Sequence, residues 1–340
     1  MNKSKPPTLE DVARLAGVST ASISRALNDP DKVAKDTRAR IEAAVEALGY
    51  TPHFGGRALA SQRTNTVGAV IPSMANAMFA SGLQAFQEEL AKDGVTLLVA
   101  TTGFDPEQEL RQIKSLIGQG ADGLFLIGNA RPQETWDFID KRRVPHIVGW
   151  CNQTRAGQCF VGFDNAGAAA DAARRAMDLG HRRLAMISGV TQGNDRALAR
   201  RDGVLASIEA YGDGAWLTHV VEAPYLIDQG ARAFETIMTL DHTPTVVLCA
   251  NDALAAGAMM QARAMGLDLP GDMSFVGFDD VGLARVVTPQ LATVQVPQEE
   301  MGRKAAQLLL AKRTGRDEVT SSVLPTRFIH RASLATPRVT

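Results

Sequence analysis

Thr20, Ala21 and Arg25 fall within two turns of a helix that the spacing of Ile23, Ala26 and Leu27 predicts. On such a helix an arginine can pair bidentately with guanine, and threonine or alanine can touch a thymine methyl. Ser19, Ser22 and Ser24 can donate to phosphates, which positions a protein on a duplex without reading its sequence. A plain three-helix bundle with a hydroxyl-rich solvated face has the same periodicity, so spacing alone leaves both readings open.

The elements that must present these residues come from apolar spacing. Leu9, Val12, Ala13 and Ala16, then Ile23, Ala26 and Leu27, then Ile41, Ala44, Val45 and Leu48 predict three short helices between residues 8 and 48. Thr8 with Asp11 resembles a capping box, Ser19 can cap the second helix, and Gly49 can end the third. From 53 to 66 the apolar periodicity is lost and Gly55-Gly56 intervenes, which predicts a linker. From Val67 onward short β-rich runs alternate with amphipathic stretches: Val67–Ile71, Val95–Ala100, Gly123–Ile127, His146–Gly149, Leu184–Ile187, Trp216–Val221, Val246–Ala250 and Ser274–Val276. This is the pattern of parallel sheets covered by helices, and two sheets are more plausible than one so wide. Val161-Gly-Phe-Asp-Asn165 and Val276-Gly-Phe-Asp-Asp280 are read as equivalent positions near a cleft.

Several chemistries are set aside. Gly118-Gln-Gly-Ala-Asp-Gly123 matches a dinucleotide fingerprint only formally, because a helix precedes it and a strand follows. No phosphate-binding loop, nucleophile elbow or metal spacing among the histidines is found, so no cofactor is expected and an enzyme reading would rest on the α/β fold alone. Cys151, Cys159 and Cys249 make no disulfide framework. The N-terminal residues lack the apolar region of an export signal and no run is long enough to span a bilayer, which predicts a cytoplasmic address and speaks against a transporter's solute-binding protein. The net charge of −1 hides a basic end: residues 1–65 hold ten Lys/Arg against seven Asp/Glu.

Asp11-Val-Ala, Ala16-Gly-Val-Ser19, Ser24-Arg25, Thr37-Arg38 and Leu48-Gly-Tyr-Thr-Pro52 match, in order and spacing, the headpiece of the LacI/GalR (lactose-repressor) family. The resemblance continues through Ala58-Leu-Ala60 and nearly all of the remaining chain. It implies a helix-turn-helix headpiece (1–52), a hinge helix (53–65) and an effector-binding and dimerisation domain (66–340) of the two-lobed periplasmic-binding-protein type I-like fold. Lobe 1 is expected at 66–161 plus 293–320, and lobe 2 at 162–292 plus 321–340. Thr8, Ser19, Thr20, Ala21, Ser22, Ser24, Arg25, Asn28, His53, Leu59 and Ala60 are then the DNA-contacting candidates, with Leu59 as the wedge a paired hinge drives into the minor groove. Gly55-Gly56 departs from the family pattern and is expected to weaken the hinge helix.

For the large domain the resemblance rests on Asn251-Asp252 with Ala256-Gly257, Val276–Asp280, Arg200 before Gly203, and Gly180-His-Arg-Arg183. It implies an effector site of Ser73, Met78, Phe79, Trp150, Phe163, Arg196, Arg200, Tyr225, Asn251 and Asp279. Asp279 and Asn251 suit neighbouring hydroxyls, Arg200 offers a planar fork, and the aromatic residues offer flat faces to a sugar ring. Asp195–Arg200 is most similar to gluconate-type repressors, and Arg196 could add charge for a sugar acid. The expected partners are a near-palindromic operator, a sugar or sugar acid, and a second copy of the chain. The Ala- and Met-rich stretch Ala253–Met265 is expected to be buried by a lobe or a partner. No leucine heptad tail follows, which implies a dimer without the tetramer of the lactose repressor.

Overall fold

Thr8 opens the first helix, α1 (Leu9–Ala16), by a reciprocal contact. The Asp11 amide donates to Thr8 Oγ1, while the Thr8 amide and hydroxyl donate to Asp11 Oδ2 at 3.0 and 2.7 Å. Gly17 ends the helix with a left-handed φ of 66°, which glycine adopts without steric cost. Ser19 Oγ then accepts from the Ser22 amide at the start of α2 (Thr20–Asn28). A 3-10 turn (Pro30–Lys32) leads to α3 (Lys35–Leu48). Their apolar stripes meet in a small core of Val12, Ala13, Ala16, Ile23, Ile41, Ala44 and Tyr50. These helices belong to the first of two units, residues 1–65 and 66–340, in a computed structural model of the chain. Residues 6–28, 30–51, 64–153, 155–315 and 319–338 are described.

The second unit begins with β1 (Thr66–Ile71), α4 (Ala77–Ala91), β2 (Thr96–Thr101), α5 (Pro106–Gly118), β3 (Gly123–Ile127), α6 (Gln133–Arg142), β4 (His146–Gly149) and β5 (Phe160–Gly162). The chain then crosses to α7 (Asn165–Asp178), β6 (Arg183–Gly189), α8 (Asp195–Tyr211), β7 (Trp216–Ala223), α9 (Ile227–Thr239), β8 (Val246–Cys249), α10 (Asp252–Ala264), β9 (Ser274–Asp279), α11 (Leu283–Val286) and β10 (Ala292–Gln295). It returns through α12 (Gln298–Arg313) and β11 (Ser322–Val323), and ends with β12 (Arg327–Ile329).

The sheet orders are β11-β5-β4-β3-β1-β2 and β12-β10-β9-β8-β6-β7, all parallel except β10 with β12. Each lobe is thus wound in the same way, with its second strand outermost beside its first. Strands β1, β3 and β9 are buried along their whole length, which is why they read as unbroken apolar runs, whereas the edge strands β2 and β7 are half exposed.

Strand pairing moves the expected lobe borders. β5 runs to Gly162, which pairs with Val323, so residue 162 belongs to lobe 1. β10 pairs with β9, so residues 293–295 belong to lobe 2 and the chain crosses at Val296–Pro297. β11 pairs with β5, so residues 321–323 remain with lobe 1. In each case a strand is completed in its own sheet before the chain crosses. β5, β11 and β12 escape sequence reading because runs of two or three residues are too short for any period to register; β10, of four residues, escapes as well. The Gly118–Gly123 stretch is a helix-end turn: α5 closes at Gly118, and β3 opens at Gly123.

Candidate functional site

In the first unit, Ile23 faces inward while Ser19, Thr20, Ala21 and Arg25 are exposed and Ser22 and Ser24 half-buried. Thr20, Ala21, Ser24 and Arg25 share one face at helical spacing, opposite the buried Ile23. A short helix with exposed Thr20, Ala21 and Arg25 beside the half-buried Ser24, carried on a helix-turn-helix, has the shape and donors to enter a major groove. Thr8 is occupied as the cap of α1, and Asn28 is the last residue of α2. His53, Leu59 and Ala60, with Gly55-Gly56, lie outside the described residues.

In the second unit the carboxyl ends of both sheets face each other, the place where parallel sheets bind ligands. Arg200 on α8 is almost fully buried there. Its Nε donates to Asn165 Oδ1 at 2.9 Å and its Nη1 to Ala250 O at 2.7 Å, while Nη2 stands 3.9 Å from Asp279 Oδ1. The guanidinium lies 3.7 Å from the centre of the Phe278 ring and 5.9 Å from that of Phe163. Asn165 Nδ2 in turn donates to Trp150 O at 3.0 Å. Burial raises the Asp279 carboxyl well above the usual range, against the pull of Arg200. Two buried polar atoms here, the donor Trp150 Nε1 and the acceptor Asp279 Oδ1, hold no hydrogen bond. Such groups are rare in folded proteins.

Trp150 follows the fourth strand of lobe 1 and Asp279 ends the fourth strand of lobe 2, and both have positive φ, 62° and 110°. A non-glycine residue held there costs about 1–3 kcal/mol, and such strain gathers at ligand sites. The two Val-Gly-Phe-Asp pentads are therefore not topological equivalents, since one ends a fifth strand and the other a fourth. They do converge, with the Phe163 and Phe278 rings 6.1 Å apart.

The remaining candidates are placed differently. Met78 and Phe79 lie buried on α4, with the Phe79 ring edge-on to Trp150 at 5.5 Å. Asn251 Oδ1 caps α10 by accepting from the Leu254 amide, and Ser73 Oγ accepts from the Ala75 amide in the turn after β1. Tyr225 of lobe 2 stacks at a tilt against Phe104 of lobe 1, 6.0 Å between centroids. Arg196 lies between the lobes, paired with Asp195. Sequence reasoning passed over Phe104, Asn129, Asn165 and Asp195. The last two stood beside residues it did single out, in the pentad and next to Arg196. Of Ala253–Met265, the first half of α10 is buried all round, from Leu254 to Met259, with contacts to α9 and β9, while Met260 and Met265 are exposed.

Three spaces run along the cleft. An outer one of about 460 Å³ lies between Phe104, Val190, Pro224 and Tyr225, and an inner one of about 330 Å³ between Asn129, Gln153, Asn165 and Arg196. Phe104 and Arg196 pinch the space between them to about 30 Å³. Ligand pockets usually measure ~300–1,000 Å³, so the middle of this cleft is closed. Among the described residues no cluster of His, Cys, Asp and Glu could hold a metal ion, and no helix is long and apolar enough to cross a membrane.

A groove-reading helical unit joined to a two-lobed ligand cleft defines the class of ligand-responsive DNA-binding proteins. Residues 8–53 match the family described as Bacterial regulatory proteins, lacI family, and residues 173–334 match the Periplasmic binding protein-like domain. The chain is 31% identical to the HTH-type transcriptional repressor CytR of Escherichia coli (strain K12), over 91% of this chain and 90% of that protein. A solved LacI-family regulator from Silicibacter pomeroyi superposes with a TM-score of 0.88 at 26% identity, covering 97% of this chain and 100% of that one. The CelR–cellobiose complex gives 0.71 at 30% identity, covering 96% and 99%. The chain belongs to the LacI family of bacterial regulatory proteins and is a DNA-binding transcriptional regulator.

Proposed function

We propose that this regulator is a homodimeric repressor of carbohydrate-utilisation genes, acting in the cytoplasm and catalysing no reaction. Two copies of α2 occupy the half-sites of a near-palindromic operator, and a sugar or sugar acid held between the lobes changes the affinity. The observation that carries the reading is the exposed Thr20, Ala21 and Arg25 on one face of α2. The cleft adds support: its inner space is rich in amide side chains that can both donate to and accept from hydroxyls, and the similar CelR is seen with cellobiose. His53, Leu59 and Ala60 complete the proposed DNA surface. The effector set remains Ser73, Met78, Phe79, Trp150, Phe163, Arg196, Arg200, Tyr225, Asn251 and Asp279. Regulation then requires an effector that binds one arrangement of the lobes more tightly than the other, since equal affinity for both would switch nothing.

The test is operator selection from random duplexes at fixed salt, followed by titration. Arg25→Ala is expected to lose about 1–3 kcal/mol at one symmetric pair of base positions and to relax the preference there. Uniform weakening on all sequences would assign Arg25 to phosphate. The absence of any selected palindrome would remove the repressor reading.

A further inference from the structure

Arg196 and its neighbour show what the closed cleft is held by. Asp195, the first residue of α8 in lobe 2, reaches across the cleft, and its Oδ2 accepts the Asn129 amide hydrogen of lobe 1 at 2.7 Å. Its Oδ1 accepts from Arg196 Nη1 at 2.8 Å. One carboxylate thus bridges a backbone donor of one lobe and a guanidinium of the other.

The lobe 1 donor is fixed in place. Arg131, its side chain only 1% exposed, donates from Nη1 to Gly128 O and from Nη2 to Ile127 O, pairs with Glu109, and lies 4.7 Å over the Trp136 ring. Arg196 is also confined: a methyl group on Gly128 would fall 1.6 Å from its Nη1, so only glycine leaves room for the guanidinium there. Beside the bridge opens the inner space of about 330 Å³, lined by Asn129, Gln153 and Asn165. Asn129 Oδ1 is a buried acceptor without a hydrogen bond.

We propose that Asp195 is a built-in ligand of the cleft, occupying the Asn129 amide and Arg196 that the carboxylate of a sugar acid claims by displacing it. The inference rests on reading the cleft as the effector site and narrows its ligand to an acid. The choice between acid and neutral sugar follows from charge. A neutral hydroxyl that displaced Asp195 would leave the buried Arg196 without a counter-charge, whereas a carboxylate replaces charge for charge. The polyol part then meets the amides and the free Asn129 Oδ1. The displaced Asp195, already partly exposed, turns to water.

The test uses the full chain and first needs no effector. Acetate replacing chloride at constant ionic strength is expected to raise the unfolding temperature of Asp195→Ala, and by less that of Asp195→Asn, but not that of the wild type: alanine leaves both donors free, whereas the asparagine oxygen still accepts from one of them. The added change Arg196→Gln is expected to abolish the rise. Isothermal titration then compares D-gluconate with D-glucitol and D-galacturonate with D-galactose. At least one acid is expected to bind Asp195→Ala about tenfold tighter than it binds the wild type, and tighter than its neutral counterpart. No difference between acetate and chloride in either variant overturns the built-in ligand. Neutral sugars bound as well as the acids overturn the acidic class and leave the cleft as a sugar site. Acetate rescue with none of the four bound supports the bridge and overturns a hexose skeleton.

Discussion

Asp252 shows how a buried residue makes stability depend on pH. It sits 1% exposed in the first turn of α10, accepting from Thr293 Oγ1 at 2.6 Å and the Val281 amide at 2.8 Å. Burial, aided by Asp280, pushes its carboxyl up to about 7 from 3.8 in spite of those two hydrogen bonds. Between these values the folded chain holds a proton that the unfolded chain has lost. The resulting stability is complete at low pH and is lost as the pH rises through about 7. Relative to wild type, the urea-unfolding free energy of Asp252→Asn should therefore gain on the order of a few kcal/mol between about pH 4 and pH 8. A constant difference across that range would show that Asp252 is ionised throughout. His181 tilts the curve the other way. Its Nε2–H donates to Ala335 O and its Nδ1 accepts from the Thr245 hydroxyl, and burial lowers it to about 4 from 6.5. Its contribution is present above the ordinary histidine range and is lost as the pH falls towards 4.

Among the elements, the helix pairs on the sheets cross where glycines remove the side chain. A methyl group on Gly302 of α12 would stand 1.9 Å from Gly82 O of α4, and one on Gly257 of α10 would stand 1.8 Å from Ile227 O of α9. On α8, the same addition at Gly203 meets Ala166 O of α7 at 2.2 Å. Backbone oxygens cannot rotate away, so each helix pair would have to part. Gly302→Ala is expected to cost about 1–3 kcal/mol, seen as a lower urea midpoint with an unchanged slope. A midpoint equal to that of the wild type would mean that α12 is free to shift on the first sheet. Nothing in the spacing of the sequence told which side of Gly302 meets another backbone.

For the whole molecule, the covalent path between cleft and headpiece is the segment joining the two units. Gly55 and Gly56 stand in that segment, and each lowers helix propensity by about 1 kcal/mol relative to alanine. Gly55→Ala with Gly56→Ala is expected to tighten operator binding about tenfold at fixed salt, without changing effector affinity in the absence of DNA. Unchanged operator affinity would mean that the segment does not fold as a helix on the duplex. Within the second unit, three chain crossings link the lobes, near Phe163–Asp164, Val296–Pro297 and Leu324–Thr326. Reorienting one lobe on the other therefore bends three strands together and twists none of them alone.

The sequence by itself determined the three-helix headpiece with its caps, the alternation that makes two parallel sheets, and the face of α2 that carries Thr20, Ala21 and Arg25. All of these depend on contacts between residues a few positions apart, where helix and strand geometry make spacing a sufficient guide. Only the tertiary structure decided which strands finish in which sheet and that Phe163 and Phe278 meet over Arg200. The same holds for Asp195, which reaches across the cleft to Asn129. Those facts join residues dozens of positions apart: Asn129 lies 66 residues from Asp195, and Asn165 lies 35 from Arg200. No local period encodes such a distance. It is set by how two sheets, wound alike, bring their carboxyl ends face to face.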